Sequence, residues 1–524
     1  MPTHPLPENP SLENLKKRAK GLRDAVRAEN AEGVARVREF HPRAERALVD
    51  FALADAQLVV ARGFGFASWA RLKEHLAVVE RFAWDPSAPP VASAAEGEAA
   101  ARAWEFVRLA CLVYGEWNPS RALAAERLLA EHPECVEAEL AAAAAAGDVA
   151  ALRAALDREP ALLDARVGPL GWEPLLYACY SRVRPGGGRS TLATARELLE
   201  RGADANAGFL WCGNVPPFTA LTGAFGEGED GNNQPPHPER DALARLLLEA
   251  GADPNDEQTL YNRHFRPDDG HLRLLCEYGL GKERASPWPA RLGDRLHSPR
   301  RMLIEELWSA ARKGFRARVE LLLEHGVEVD APGMRDGRTP YEAALMTGNR
   351  KIAELLAAHG ARTVPLEPVE AFAAAALAGD GDEARALLRR DPGLLAALGL
   401  HGRLKLLHRA VEADRRDGVR LLAELGFELS GTTAHRGVGV ERATTPLHNA
   451  AWAGNLAMVD LLVGLGADAR RRDPRFDATP LGWALHNRQR EVVEYLAGRL
   501  DPNDPAHAEE GSRAAEFLRA VPEE

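Results

Sequence analysis

The residues able to do chemistry are concentrated in one part of the chain. Arg182 and Arg184 fall in SRVRPGGGRSTLAT, Glu227, Glu229, Asp230 and His237 in GEGEDGNNQPPHPER, and His264 and Arg266 in YNRHFRPDDGH. Carboxylates beside histidines are what general acid–base catalysis or a metal site needs, and arginines can grip an anionic group. The spacing argues against catalysis and metal binding. GEGED is a flexible acidic run with no HxH or HxxxH beside it, so no metal site and no catalytic residue is assigned. GxSxG is absent and GGGR at Gly186–Arg189 follows no strand, which removes the serine-nucleophile and nucleotide readings, and no cofactor is expected. Five cysteines (Cys111, Cys135, Cys179, Cys212 and Cys276) form no CxxC pair. They are expected to be buried, inert thiols in a reducing cytoplasm. Recognition remains. Its expected binding set is Arg182, Arg184, Trp211, Glu227, Glu229, Asp230, His237, His264 and Arg266, with Phe209 and Phe218 as apolar neighbours.

The elements that must position these side chains come from a repeated pattern. TTPLHNAAWAGNLAMVDLLVGLGADARRRD from Thr444 is followed by ATPLGWALHNRQREVVEYLAGRLDPND from Ala478 and preceded by GRTPYEAALMTGNRKIAELLAAHGAR from Gly337. The step from Thr445 to Thr479 is 34 residues, as is the step from Gly326 to Gly360. Thr445 can cap a helix whose first position suits the fixed φ of Pro446. Gly454 then predicts a left-handed stop, and Met458, Val459, Leu461 and Leu462 an apolar stripe on a second helix. Gly-Ala-Asp triplets at Gly202, Gly251 and Gly466 predict the turn into the next unit. One such unit cannot bury its apolar face alone, so neighbours must stack.

TPLH at Thr445–His448 together with this period resembles the ankyrin repeat family. The resemblance implies an all-α solenoid of about ten units, beginning near Ala138, Glu173, Phe218, Glu257, Leu303, Gly337, Pro368, Leu404, Thr444 and Ala478. It also implies protein–protein recognition, and it gives His448 a bridging role between adjacent turns. Departures from the period carry the individuality of such a scaffold. The inserts at 181–194 and 226–240 fall at the same place within the second and third units. Stacking should bring them to one edge, where they join the polar stretch of the fourth unit.

Residues 11–82 lack the repeat and predict an N-terminal helical cap, in which Ser68 of GFASWARLKEHL caps a helix. That string resembles a segment preceding ankyrin repeats in bacterial proteins. Residues 83–98 read as a linker, 99–137 as a helix pair docking on the array, 138–504 as repeats and 505–524 as a tail with a short helix near Arg513–Val521. The 524 residues carry a net charge of −11, with 46% hydrophobic and 6% aromatic content. This argues against sequence-independent nucleic-acid binding and against anionic membranes, and no apolar run is long enough for a span. The basic run Lys16–Arg23 interleaves with Leu15, Leu22 and Val26, the pattern of a solvated helix face. The expectation is a non-catalytic interaction module with an unknown protein partner, favoured by a basic patch on that partner. The alternative is a small-molecule enzyme or sensor with its site under the enlarged loops.

Overall fold

The computed structural model describes residues 4, 6, 11–87, 97–115, 117–184, 186–435, 442–474, 476–500 and 505–520. Five helices, Leu12–Arg27, Ala31–Phe40, Ala44–Val49, Leu53–Gly63 and Trp69–Phe82, make the N-terminal part. Leu15, Ala19, Leu22 and Val26 line one face of the first and meet Val37, Phe40, Val59 and Leu72 in a core of their own. Ser68 accepts from the Arg71 N–H at 3.2 Å, a cap worth about 1 kcal/mol.

The segment read as a linker starts with a paired strand. Ala83–Trp84 runs parallel to Leu210–Trp211, and Gly208–Phe209 is antiparallel to Phe218–Thr219. Residues 88–96 lie outside the described residues. Helices Glu98–Ala110 and Pro119–Glu131 follow, and the chain between them bonds to the second unit, Leu112 N–H to Tyr180 O at 2.8 Å.

From Leu140 onward the fold is a succession of helix pairs. Every first helix packs on the next, from Leu140–Ala146 through Pro174–Tyr180, Ala220–Phe225, Glu257–Arg263, Pro299–Lys313, Pro340–Met346, Pro368–Leu377, Leu394–Glu412 and Pro446–Trp452 to Pro480–His486. The run Ala141–Ala146 is wholly buried, because small side chains let helices approach closely. The C-terminal helix is longer than the sequence implied, Pro505–Ala520, and takes the next place in the stack. Thr479 donates to Glu510 on it at 2.7 Å. The molecule is mostly helical, with the short three-stranded sheet and a ribbon of Thr433–His435 against Arg442–Thr444 added. No helix among the described residues is long and apolar enough to cross a membrane.

The unit at Thr445 shows how residues dictate the element. The Thr445 hydroxyl caps the helix and also lies 2.7 Å from His448 Nδ1, while His448 Nε2 meets the Ala478 carbonyl of the next unit at 3.0 Å. The ring therefore donates from Nε2 and bridges two units. Gly466 takes φ +95° in the following turn, a conformation that a Cβ would strain.

The turns joining first to second helices lie on a tightly curved inner edge. A Cβ on Gly314 of the fifth unit would lie 2.9 Å from Asn349 Oδ1 of the sixth and 3.5 Å from Arg415 Nη2 of the eighth. Both inserts spring from this edge.

Candidate functional site

The two inserts meet. Thr191 Oγ1 and His237 Nε2 are 2.9 Å apart, and the Ser190 hydroxyl reaches Glu239 at 3.3 Å. His237 Nδ1 accepts from the Glu239 N–H at 3.0 Å, so the proton sits on Nε2 and the ring is neutral. Burial, reinforced by Arg182, holds its pKa down to about 3.

Arg182 lies beneath the third-unit loop and is only 5% exposed. Its guanidinium donates to the carbonyls of Pro235 and Gly223, both at 2.7 Å, and of Ser181 and Cys179 at 3.0 and 3.2 Å. Burial lowers its pKa to about 10. Arg182 and His237 therefore brace the loops from inside and do not face outward as expected.

The loop continues over the fourth unit. Glu227 pairs with Arg263, which is fully buried and also binds Asp268. The Tyr261 hydroxyl donates to Glu229, and Arg266 Nη2 donates to Asn232 Oδ1 at 2.6 Å. Arg318 of the fifth unit donates to Asp269 at 2.6 Å and to the Arg266 carbonyl at 2.8 Å. Beside Arg318, burial pushes Glu306 up to about 7. His264 packs on Phe265 with ring centroids 4.1 Å apart, and burial followed by Lys313 lowers its pKa to about 3.

The same loop then reaches the far end of the array. The Asn232 N–H donates to Asn487 Oδ1 at 3.1 Å, Asn232 Nδ2 to the Asn487 carbonyl at 3.3 Å, and Asn233 Nδ2 to the His486 carbonyl at 3.1 Å. His486 Nε2 stands 3.5 Å from Asp230 Oδ1, which raises the histidine's pKa. A Cβ on Gly231 would come within 2.7 Å of Asn487 Oδ1. The third-unit loop is thus a clasp between the third and tenth units.

The expected residues divide into three groups. Glu227, Glu229, Asp230, His264 and Arg266 gather where the clasp crosses the fourth unit, while Arg182 and His237 support it from below. Arg184 and Trp211 belong to the seam with the preceding helix pair: the Arg184 N–H donates to Glu126 at 2.8 Å, and Trp211 Nε1 donates to the Val113 carbonyl at 3.3 Å. Phe209 and Phe218 are part of an aromatic core, Phe209 stacked 4.7 Å from Trp172 and 5.6 Å from Phe218, with no role left for them as outward contacts. Cys111, Cys135 and Cys179 are buried as expected, but Cys276 is only half-buried and Cys212 is exposed.

Several partners in this arrangement were not singled out from the sequence, among them Tyr261, Asn232, Arg318, Glu306, His486 and Asn487. Arg318 did leave a signal, since it follows Gly314 at the same offset as the buried Met458 follows Gly454. A cavity lies away from the clasp. It is a partly open cleft of about 270 Å³ between the third and fourth units and the segment 283–302, with Asp256, Trp288 and His297 in its wall. No group of residues suited to a metal ion occurs among the described residues.

A family model for ankyrin repeats matches residues 407–506 in three copies. Residues 407–506 are ankyrin repeats. The capped Thr445 helix, the His448 bridge and the Gly466 turn all lie within these ankyrin repeats, and further helix pairs stack upstream of them. No curated protein matches the chain.

Proposed function

We propose that the chain is a non-catalytic protein-interaction module of the bacterial cytoplasm, an ankyrin array of about ten units behind an N-terminal helical cap. Its recognition surface is the edge where the clasp crosses the fourth unit. The observation that carries this reading is the clasp itself. A loop tied to three units by Arg182, Arg263 and Asn487 presents Glu229, Asp230 and Arg266 with little ordering entropy left to lose on binding. Tyr261 and Phe265, 41% and 39% exposed, add aromatic contact area beside them. The enzyme or sensor alternative draws no support from the space under the loops, which Arg182 and His237 fill with satisfied hydrogen bonds.

Affinity capture from the native lysate with wild type and with an Arg266→Ala, Glu229→Ala, Phe265→Ala variant tests this. The reading expects a protein retained by wild type and lost by the variant. A retained small molecule that is turned over, with no protein lost, would replace it by the enzyme reading.

A further inference from the structure

The inner edge next to the clasp is cationic although the chain as a whole is acidic. Lys313 and Arg312 end the first helix of the fifth unit at the places where the ninth unit has Ala453 and Trp452. Lys313 Nζ donates to the His264 carbonyl at 2.6 Å and lies 5.0 Å from the Phe265 ring centre. The Arg312 guanidinium lies 5.6 Å from the Trp308 ring centre. Arg335, on the connection into the sixth unit, and Arg409, on the first helix of the eighth, are exposed and close enough to act on Arg312 electrostatically. None of these four cations forms an ion pair among the described residues.

Among the described residues, the surrounding charges do not cancel them. Arg318 is committed to Asp269, with Glu306 3.6 Å away. Glu412 accepts from Asn449 and Asp336 from the Arg338 N–H, and these two are the carboxylates that oppose Arg312. His264 is neutral. Assembling cations with too few counter-charges costs free energy that an incoming anion returns. Lys313 registers that cost: burial is the main cause and Arg318, Arg312 and Arg335 add to it, with Glu306 opposing, and its pKa falls to about 7.

We propose that Arg312, Lys313, Arg335 and Arg409 hold an acidic peptide segment of a protein partner along the inner edge, with Phe265 and Tyr261 beside it taking an apolar or aromatic residue of that segment. This rests on the interaction-module reading and names its partner's chemistry. A peptide fits better than a lone oxyanion because the cations are spread from the fifth to the eighth unit and exposed aromatic area adjoins them. It also reverses the partner charge that the net charge of −11 suggests, because short-range contacts follow the local field.

Fluorescence anisotropy of the full chain with a labelled octaglutamate peptide bearing one phenylalanine tests the proposal. Wild type binds it, with affinity falling as salt rises and improving as pH drops from 8 to 6, because Lys313 gains a proton. Arg312→Gln, Arg335→Gln, Arg409→Gln together weaken binding about tenfold. The exposed Arg335→Gln change alone, in a chain with unaltered circular dichroism, weakens it measurably. Equal binding by the triple variant, preference for an octalysine peptide, or displacement by inorganic pyrophosphate at matched charge would each overturn it. Failure here alongside a protein lost in the capture experiment would leave the module reading standing.

Discussion

Arg182 takes a full positive charge to a place where it meets four carbonyl oxygens and no carboxylate. Replacing it with Met keeps much of the volume but orphans the Pro235 and Gly223 carbonyls. A local loss of about 2–4 kcal/mol should follow. Native-state hydrogen exchange reads it at the Glu227 and His237 amides, which bond to the Gln234 and Ala224 carbonyls; unchanged protection there would contradict the brace. His237 makes a second prediction. Its folded pKa of about 3 lies below the ordinary value of 6.5, so the folded state binds fewer protons. Its contribution is fully present above pH 6.5 and is lost as pH falls toward 3. A His237→Gln variant should therefore show a flatter decline of denaturation midpoint between pH 7 and 5 than wild type, and parallel curves would refute the buried neutral ring.

At the scale of elements, the clasp is the feature to break. Asn232 donates two hydrogen bonds to Asn487 across 255 residues of chain, from its N–H to Oδ1 and from Nδ2 to the carbonyl. Asn232→Ala and Asn487→Ala each remove one of these bonds, so each should lower the opening free energy of the loop amides by about 1 kcal/mol, whereas unchanged amide protection in both variants would mean that the contact does not form in solution. The repeating elements were legible in the sequence because their determinants are local: Thr445 caps, Pro446 fits the first turn, Gly466 takes the positive φ. The sheet was not legible. Ala83–Trp84 is two residues long and pairs with Leu210–Trp211, leaving no periodicity to detect. The burial of Arg182 and His237 was hidden for a related reason, since a polar loop reads as exposed until its own backbone carbonyls are seen folding over it. Arg318 was half-visible, as a charge in an apolar register. The contact of Asn232 with Asn487 depends on curvature accumulated over seven units, which no local pattern encodes.

For the whole molecule, stability and shape are nearest-neighbour properties summed along the stack, from Leu140–Ala146 to the helix Pro505–Ala520. The summed curvature brings the third unit to the tenth, and the recognition surface proposed above requires that closure to hold. Spin labels at Ala242→Cys and Glu491→Cys, both exposed positions on second helices at the two ends of the clasp, report the closure directly once the exposed Cys212 is replaced by Ser. Double electron–electron resonance on this chain is expected to give one narrow, short distance, which broadens when Asn232 and Asn487 are both changed to Ala. A broad distribution at long distance in the otherwise unaltered chain would mean that the array is open and would contradict the account at its centre.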